Sequence, residues 1–189
     1  MKLVIASNND HKIAEIKQIL HGKFEAMYSL AEMGIDCDPV EDGETFLENA
    51  LIKVNEIAKY TQYAVLGDDT GLCVEALGGA PGVMSARYAG DHDNAKNRQK
   101  LLRELQNATN RNAHFETVVA LRYPDGKIVT AFGRVEGMIA TEERGEIGFG
   151  YDSLFYSPEL GKTFGQSTRE EKHSVSHRGR ALRNLLEKL

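Results

Sequence analysis

The sequence predicts a mixed-sheet α/β protein, and three observations carry that prediction. Short apolar runs of strand length, at residues 2–6 and 64–67, stand beside segments whose apolar residues recur at helical spacing. A PDG turn at Pro124, Asp125 and Gly126 joins two β-rich stretches as an antiparallel hairpin. The order βα…αβ…α…ββ…α therefore mixes crossover helices with a hairpin, unlike a cleanly doubly wound sheet. The 189 residues suit one domain, spanning 1–189, or one domain with two lobes.

The elements follow in chain order. Residues 2–6 (KLVIA) form a fully apolar strand, and Ile13, Ile16, Ile19 and Leu20 mark the helix after it. Residues 44–60 carry the strongest helix signal. There Thr45 and Glu48 have capping-box spacing, and Phe46, Leu47, Ala50, Leu51, Val54, Ile57 and Ala58 make one broad apolar face. Residues 64–67 are a second short strand, expected to stop at DDTG because Asp and Gly are poor strand residues. Residues 93–106 read as a polar surface helix resting on Leu101, Leu102 and Leu105. The hairpin covers 114–123 and 127–138. Ser174 or Ser176 is positioned to cap a last helix bearing Ala181, Leu182, Leu185, Leu186 and Leu189.

Composition narrows the function classes. Apolar content of 41% with 27% charged residues is that of an ordinary globular protein, and no apolar run is long enough to span a bilayer. The N-terminus lacks the pattern of a secretory signal. Two cysteines, Cys37 and Cys73, make neither a disulfide framework nor a closely spaced metal-ligand pair. A cytoplasmic setting is expected. The net charge of −5 argues against a general nucleic-acid binder, and no membrane partner is expected. A small polyanion remains compatible, given locally gathered Lys and Arg and a divalent cation.

Several stretches carry chemistry. In SNNDHK, Ser7, Asn8, Asn9 and Asp10 suit a turn and N-cap, which would leave Lys12 an exposed first-turn lysine. The second reading is a phosphate seat, because a helix N-terminus offers unpaired N–H groups and a positive dipole end, with Lys12 adding charge. Glu48 belongs to the capping box, whereas Glu41 precedes the cap and is free to reach elsewhere. Asn49 and Lys53 share a helix face away from the apolar stripe. Asp68 and Asp69 end an apolar strand and repel one another unless compensated. They would point to opposite sides if strand geometry persisted, one structural and one catalytic. The alternative is an Asp-rich turn with Gly71 at positive φ. GGAPGVMSARYAG matches neither the P-loop nor the dinucleotide-binding glycine pattern. In GFGYDSLF, Phe149 and Tyr151 are either a wall for stacking a flat base or a buried aromatic turn. Finally, Lys172, His173, His177, Arg178 and Arg180 gather around a helix start, where basic residues oppose the dipole.

Taken together, SNNDHK, ETFLENALIK, GDDTGL, GGAPGVMSARYAG, GFGYDSLF and EEKHSVSHRGRAL resemble, in order and over nearly the whole chain, the inosine-triphosphate pyrophosphatase family. The resemblance implies an elongated mixed-sheet fold with two lobes flanking a nucleotide-binding cleft, usually as a homodimer. It implies Mg²⁺-dependent hydrolysis of ITP, dITP and XTP to the monophosphate and pyrophosphate. By position, Ser7, Asn8, Asn9, Asp10, His11, Lys12 and Lys53 would hold the triphosphate, and Glu41 and Asp69 the metal. Asp69 would accept the proton of the attacking water, and Thr70 would touch substrate. Phe149, Gly150, Tyr151, Asp152, Lys172, His177 and Arg178 match nucleobase-side positions. Two departures lie near that segment: His173 in place of a common asparagine, and Gly165-Gln166-Ser167 in place of an Ala-Glu-aliphatic run.

Overall fold

The computed structural model describes residues 1–90 and 92–189. Its elements run β1 (Lys2–Ile5), α1 (Asp10–Ile19), β2 (Ala26–Ser29), α2 (Phe46–Ile57), β3 (Ala64–Val74), α3 (Asn94–Glu104), β4 (Asn112–Arg122), β5 (Ile128–Ile139), β6 (Phe155–Ser157), β7 (Lys162–Thr163), α4 (Arg169–Val175) and α5 (His177–Leu186). Among the described residues the strands form one mixed sheet in the order β2-β1-β3-β4-β5-β6-β7. The chain divides into two compact units. The first is Met1–Asp69, Thr117–Gly133 and Arg178–Leu189, and the second is Thr70–Glu116 and Arg134–His177.

The first unit shows why 2–6 and 64–67 read as uninterrupted apolar runs. β1 pairs in parallel with β2 and with β3, with Leu3 opposite Ala64 and Ile5 opposite Leu66. Both faces are covered, so alternate residues enter different cores. Leu3 and Ile5 join Ile16, Leu20, Leu182 and Leu185 from α1 and α5. Val4 and Ala6 join Ala50, Val54 and Ile57 from α2. The α2 start carries the expected capping box between Thr45 and Glu48.

The second unit is built around Leu72, Leu101, Phe115, Val135, Tyr151, Phe155 and Phe164. Along β5 the burial alternates, with Val135 and Ile139 inward and Phe132, Arg134, Glu136 and Met138 outward. The hairpin turn, which belongs to the first unit, is closed by the Tyr123 N–H donating to the Lys127 carbonyl (2.8 Å), and Gly126 takes the positive φ of 91° that the turn requires. No helix among the described residues is long and apolar enough to cross a membrane.

The structure departs from the sequence reading in three places. β3 does not stop at DDTG but continues to Val74, because both aspartates find cationic or amide partners and Gly71 lies within the strand rather than in a turn. The C-terminal segment holds two helices rather than one. α4 begins at a Thr168/Glu171 capping box, and Ser176, in extended conformation (φ −67°, ψ 156°), separates it from α5. The short strands β2, β6 and β7 have no periodicity of their own and exist through their pairing.

Candidate active site

The first unit gathers a dense set of charges at the end of β1, the middle of β3 and the starts of α1 and α2. Asn9 is the N-cap of α1, and its side chain accepts from the backbone N–H groups of His11 (3.0 Å) and Lys12 (3.2 Å). The Ser7 hydroxyl accepts from the Asn9 N–H, and the Asn8 amide donates to the Cys37 carbonyl and to Asp38. The capping reading of SNNDHK is therefore realised, with one difference. Lys12 is not an exposed first-turn lysine, for its ammonium turns inward to lie 3.3 Å from Asp68 Oδ2. Burial, the largest influence, pulls the Lys12 pKa below its ordinary value against the attraction of Asp68. Asp10 and His11 remain exposed on the first turn.

Strand geometry sends Asp68 and Asp69 to opposite faces of β3. Asp68, 1% exposed, meets Lys12 and the Arg178 guanidinium, whose Nη2 lies 3.2 Å away. Arg178 is also ion-paired to Glu15 of α1. Burial opposes its charge most strongly, but Glu15 and Asp68 together hold its pKa above the ordinary value. Asp69 faces α2, where Asn49 Nδ2 donates to its Oδ2 (3.0 Å) and Lys53 Nζ lies 3.8 Å from its Oδ1. Lys53 also donates to the Asp68 carbonyl (2.8 Å) and pairs with Glu41 Oε2 (2.8 Å). Burial is the largest single effect on Lys53 and lowers its pKa, yet Asp68, Asp69 and Glu41 together raise it.

Two glycines permit this arrangement. A Cβ on Gly67 would stand 2.9 Å from Val54 Cγ1 and 3.2 Å from the Ala50 carbonyl, so glycine lets α2 approach β3 directly beside the aspartates. A Cβ on Gly43 would meet Asn49 Oδ1 at 2.7 Å, the atom that accepts the Gly43 N–H at 2.9 Å. Asn49 thus ties the acidic loop to Asp69 with a single side chain.

Four carboxylates (Glu15, Glu41, Asp68, Asp69) therefore face three cations (Lys12, Lys53, Arg178) in this group. Burial, the leading cause, raises the Asp69 pKa above the carboxylate norm, although Lys53, Lys12 and Asn49 act against it. Glu41 and Asp69 both border the Lys53 ammonium, at 2.8 and 3.8 Å. Their donor atoms are all hard carboxylate oxygens, so the residues fit a hard divalent cation.

The second unit holds the GFGYD turn. Asp152 Oδ2 accepts the Phe149 N–H (2.9 Å) and pairs with Lys172 Nζ (2.7 Å). Lys172 lies 5.0 Å from the Phe149 ring centroid. Gly148 has a φ of 85°, and a Cβ there would meet Asp152 Oδ2 at 2.1 Å. The Gly150 carbonyl accepts from Arg98 (2.9 Å). Tyr151 belongs to the core, its hydroxyl donating to the Ser85 carbonyl (2.7 Å), and burial leads the effects that push its pKa up. Of the two aromatics read as a stacking wall, only Phe149 is outside that core. His177 stacks on Phe115 with centroids 4.5 Å apart. The unusual Gly165 has a local reason, since a Cβ would stand 2.7 Å from the Arg144 carbonyl and 2.9 Å from Ser153 Cα.

Arg178 sits in the charged group of the first unit with Asp68, whereas the family resemblance placed it among the nucleobase-side residues. Thr70 follows Asp69 on β3 and is half-buried. Glu15 was missed in the sequence. Its signal was the i,i+3 spacing from Lys12, which sets both on one face of α1.

A model of the Ham1 family matches residues 3–188. The chain belongs to the Ham1 family. It is 48% identical to the dITP/XTP pyrophosphatase of Leuconostoc mesenteroides, over 100% of this chain and 96% of the relative. It is 47% identical to the protein of the same name from Clostridium perfringens, over 100% and 97%. Among solved structures, the Ham1 protein of Staphylococcus aureus is similar with a TM-score of 0.87 and 43% identity, covering 100% of this chain and 97% of that one. The Ham1 assignment spans both compact units and therefore both residue groups described above.

Proposed function

We propose that this protein hydrolyses dITP, XTP and ITP to the monophosphate and pyrophosphate, removing them from the nucleotide pool before they are incorporated into DNA or RNA. The observation that carries the reading is the Asp68–Asp69 pair, held on opposite faces of one strand among Lys12, Lys53, Arg178 and Glu41. The dITP/XTP pyrophosphatase names of relatives at 47–48% identity over the full chain support the substrate class. Residues 1–189 act as one catalytic domain, working in the cytoplasm as a homodimer.

In this reading the α1 N-terminus (Ser7 to Lys12) and Lys53 take the triphosphate. Glu41 and Asp69 would hold Mg²⁺, which when bound would offset phosphate charge and polarise the phosphoryl oxygens. Asp69 accepts the proton of the attacking water, and its raised pKa makes it a stronger base than an ordinary carboxylate. Asn49 holds one Asp69 oxygen and so orients the other. Asp68 stays paired and positions Lys12 and Arg178. Thr70 contacts the substrate.

The base is read in the second unit by Phe149, Gly150, Asp152, Lys172 and His177, through the Phe149 face, the Lys172 ammonium and backbone N–H groups, with Tyr151 supporting that turn from the core. Donors suit the 6-oxo group of hypoxanthine or xanthine. The 6-amino group of ATP sets donor against donor, a mismatch that can cost ~10⁴-fold. The test is pyrophosphate release with Mg²⁺ from dITP, XTP, ITP, ATP, GTP and CTP in parallel. Release from the first three well above ATP is expected. Equal rates for ITP and ATP would sink the selectivity, and no release from any would leave a binding module without turnover.

A further inference from the structure

The second unit contains a set of metal-ligating side chains that the nucleotide reading does not use. Cys73 on β3 and His114 and Glu116 on β4 bring a thiol sulfur, an imidazole nitrogen and a carboxylate oxygen within 4.8 Å of one another. The placement follows from strand geometry. His114 and Glu116 are two residues apart, so they share a face of β4, and β3 is the neighbouring strand. His114 Nε2 and Glu116 Oε1 are 2.8 Å apart, so the pair already faces one point, and metal coordination through those atoms would replace the hydrogen bond between them. Both are half-buried, with side chains 15% and 22% exposed, so an ion can reach them from solvent while much of its hydration is replaced. Cys73 is a free, half-buried thiol.

We propose that Cys73, His114 and Glu116 form a transition-metal site for a Zn²⁺-class ion, separate from the carboxylate group of the first unit. The ligand set decides the metal class. Thiolate and imidazole select Zn²⁺, Co²⁺ or Cu over Mg²⁺ and Ca²⁺, whereas Glu41 and Asp69 offer hard oxygen alone. Three protein ligands leave the fourth tetrahedral position to water. Ligand atoms around tetrahedral zinc lie about 3.3–3.7 Å apart, so binding opens the 2.8 Å His114–Glu116 contact slightly and draws Cys73 toward the pair by rotamer adjustment. The nearest competing cation is Arg134, 3.5 Å from Glu116 and also paired with Glu136, which remains its partner when Glu116 turns to the metal. Coordination forms the metal–sulfur bond and releases the thiol proton to solvent. Burial, the leading effect, pushes that thiol up to about 11, so the metal-free site holds the proton.

The test is a Co²⁺ titration of the full, reduced protein in excess Mg²⁺, which occupies hard carboxylate groups and competes poorly for a thiolate. A near-ultraviolet thiolate-to-cobalt charge-transfer band saturating at one ion per chain is expected, and Zn²⁺ should displace it. Cys73→Ser should remove the band, His114→Ala should weaken Co²⁺ affinity by ~10-fold or more, and Cys37→Ser should leave both unchanged. No band in the wild-type protein overturns the site, as does a band that survives Cys73→Ser or is lost in Cys37→Ser. Should Cys73→Ser fail to fold, His114→Ala at its half-buried position decides alone, and an unchanged affinity there also overturns the site.

Discussion

The two groups of site residues hold their charges in opposite ways. In the first unit the central ions are shared. Lys53 serves Glu41, Asp69 and the Asp68 carbonyl, Asp68 serves Lys12 and Arg178, and four carboxylates face three cations. In the second unit the Asp152–Lys172 pair matches one anion to one cation at 2.7 Å, beside an aromatic ring. The first arrangement is crowded and carries pKa values displaced in both directions, with Lys12 lowered and Asp69 raised. Such a group is poised to reorganise when a polyanion and a cation arrive. The second is internally neutral and shaped, which suits reading a flat, uncharged base by stacking and hydrogen-bond direction.

The sharpest way to break this contrast is Asp69→Asn. It should lower kcat by ~10²–10⁴-fold, the usual worth of a general base, with a circular-dichroism spectrum like that of the wild type. Its pH dependence supplies an internal check. Without a bound cation, burial makes Asp69 take up its proton at a higher pH than an ordinary carboxylate. A cation held by Glu41 and Asp69 would favour the carboxylate, so raising the Mg²⁺ concentration should move the acid limb of activity to lower pH. An Asp69→Asn variant that keeps the acid limb of the wild-type log(kcat/KM) profile would remove Asp69 as the base.

Arg178→Ala comes next. It leaves Asp68 and Glu15 buried without their shared guanidinium, and removing one partner of a buried pair typically costs ~3–5 kcal/mol. Urea unfolding measures it, and a loss below about 1 kcal/mol would mean that the network is not held together by Arg178.

The smallest effect on catalysis is expected from Lys172→Met, which keeps a long apolar stem against Phe149 and Phe164 but removes the ammonium. The substitution also lowers stability, because the buried Asp152 carboxylate loses its cation. The ITP-to-ATP ratio of kcat/KM should fall by ~10-fold while kcat for the preferred substrate changes little, consistent with the loss of one directional donor. A fall in kcat equal to that of Asp69→Asn would erase the distinction between the two groups.

Local chemistry in the sequence determined a good deal by itself. The Thr45/Glu48 capping box, the PDG turn, the double-faced burial of β1 and the cap formed within SNNDHK are short-range matters of spacing and side-chain type, and the structure contains each of them. Short-range reasoning also placed Asn49 and Lys53 on one face of α2, the face that meets Asp69. Only the tertiary structure decided the rest. β3 runs through the two aspartates because partners 15 to 110 residues away neutralise them, a gain that strand propensity does not contain. Lys12 points inward for the same reason, and Tyr151 was drawn into the core by the Ser85 carbonyl. Cys73, His114 and Glu116 show the limit most plainly. More than 40 positions along the chain separate the first from the last, and only the pairing of two neighbouring strands makes them one set of ligands.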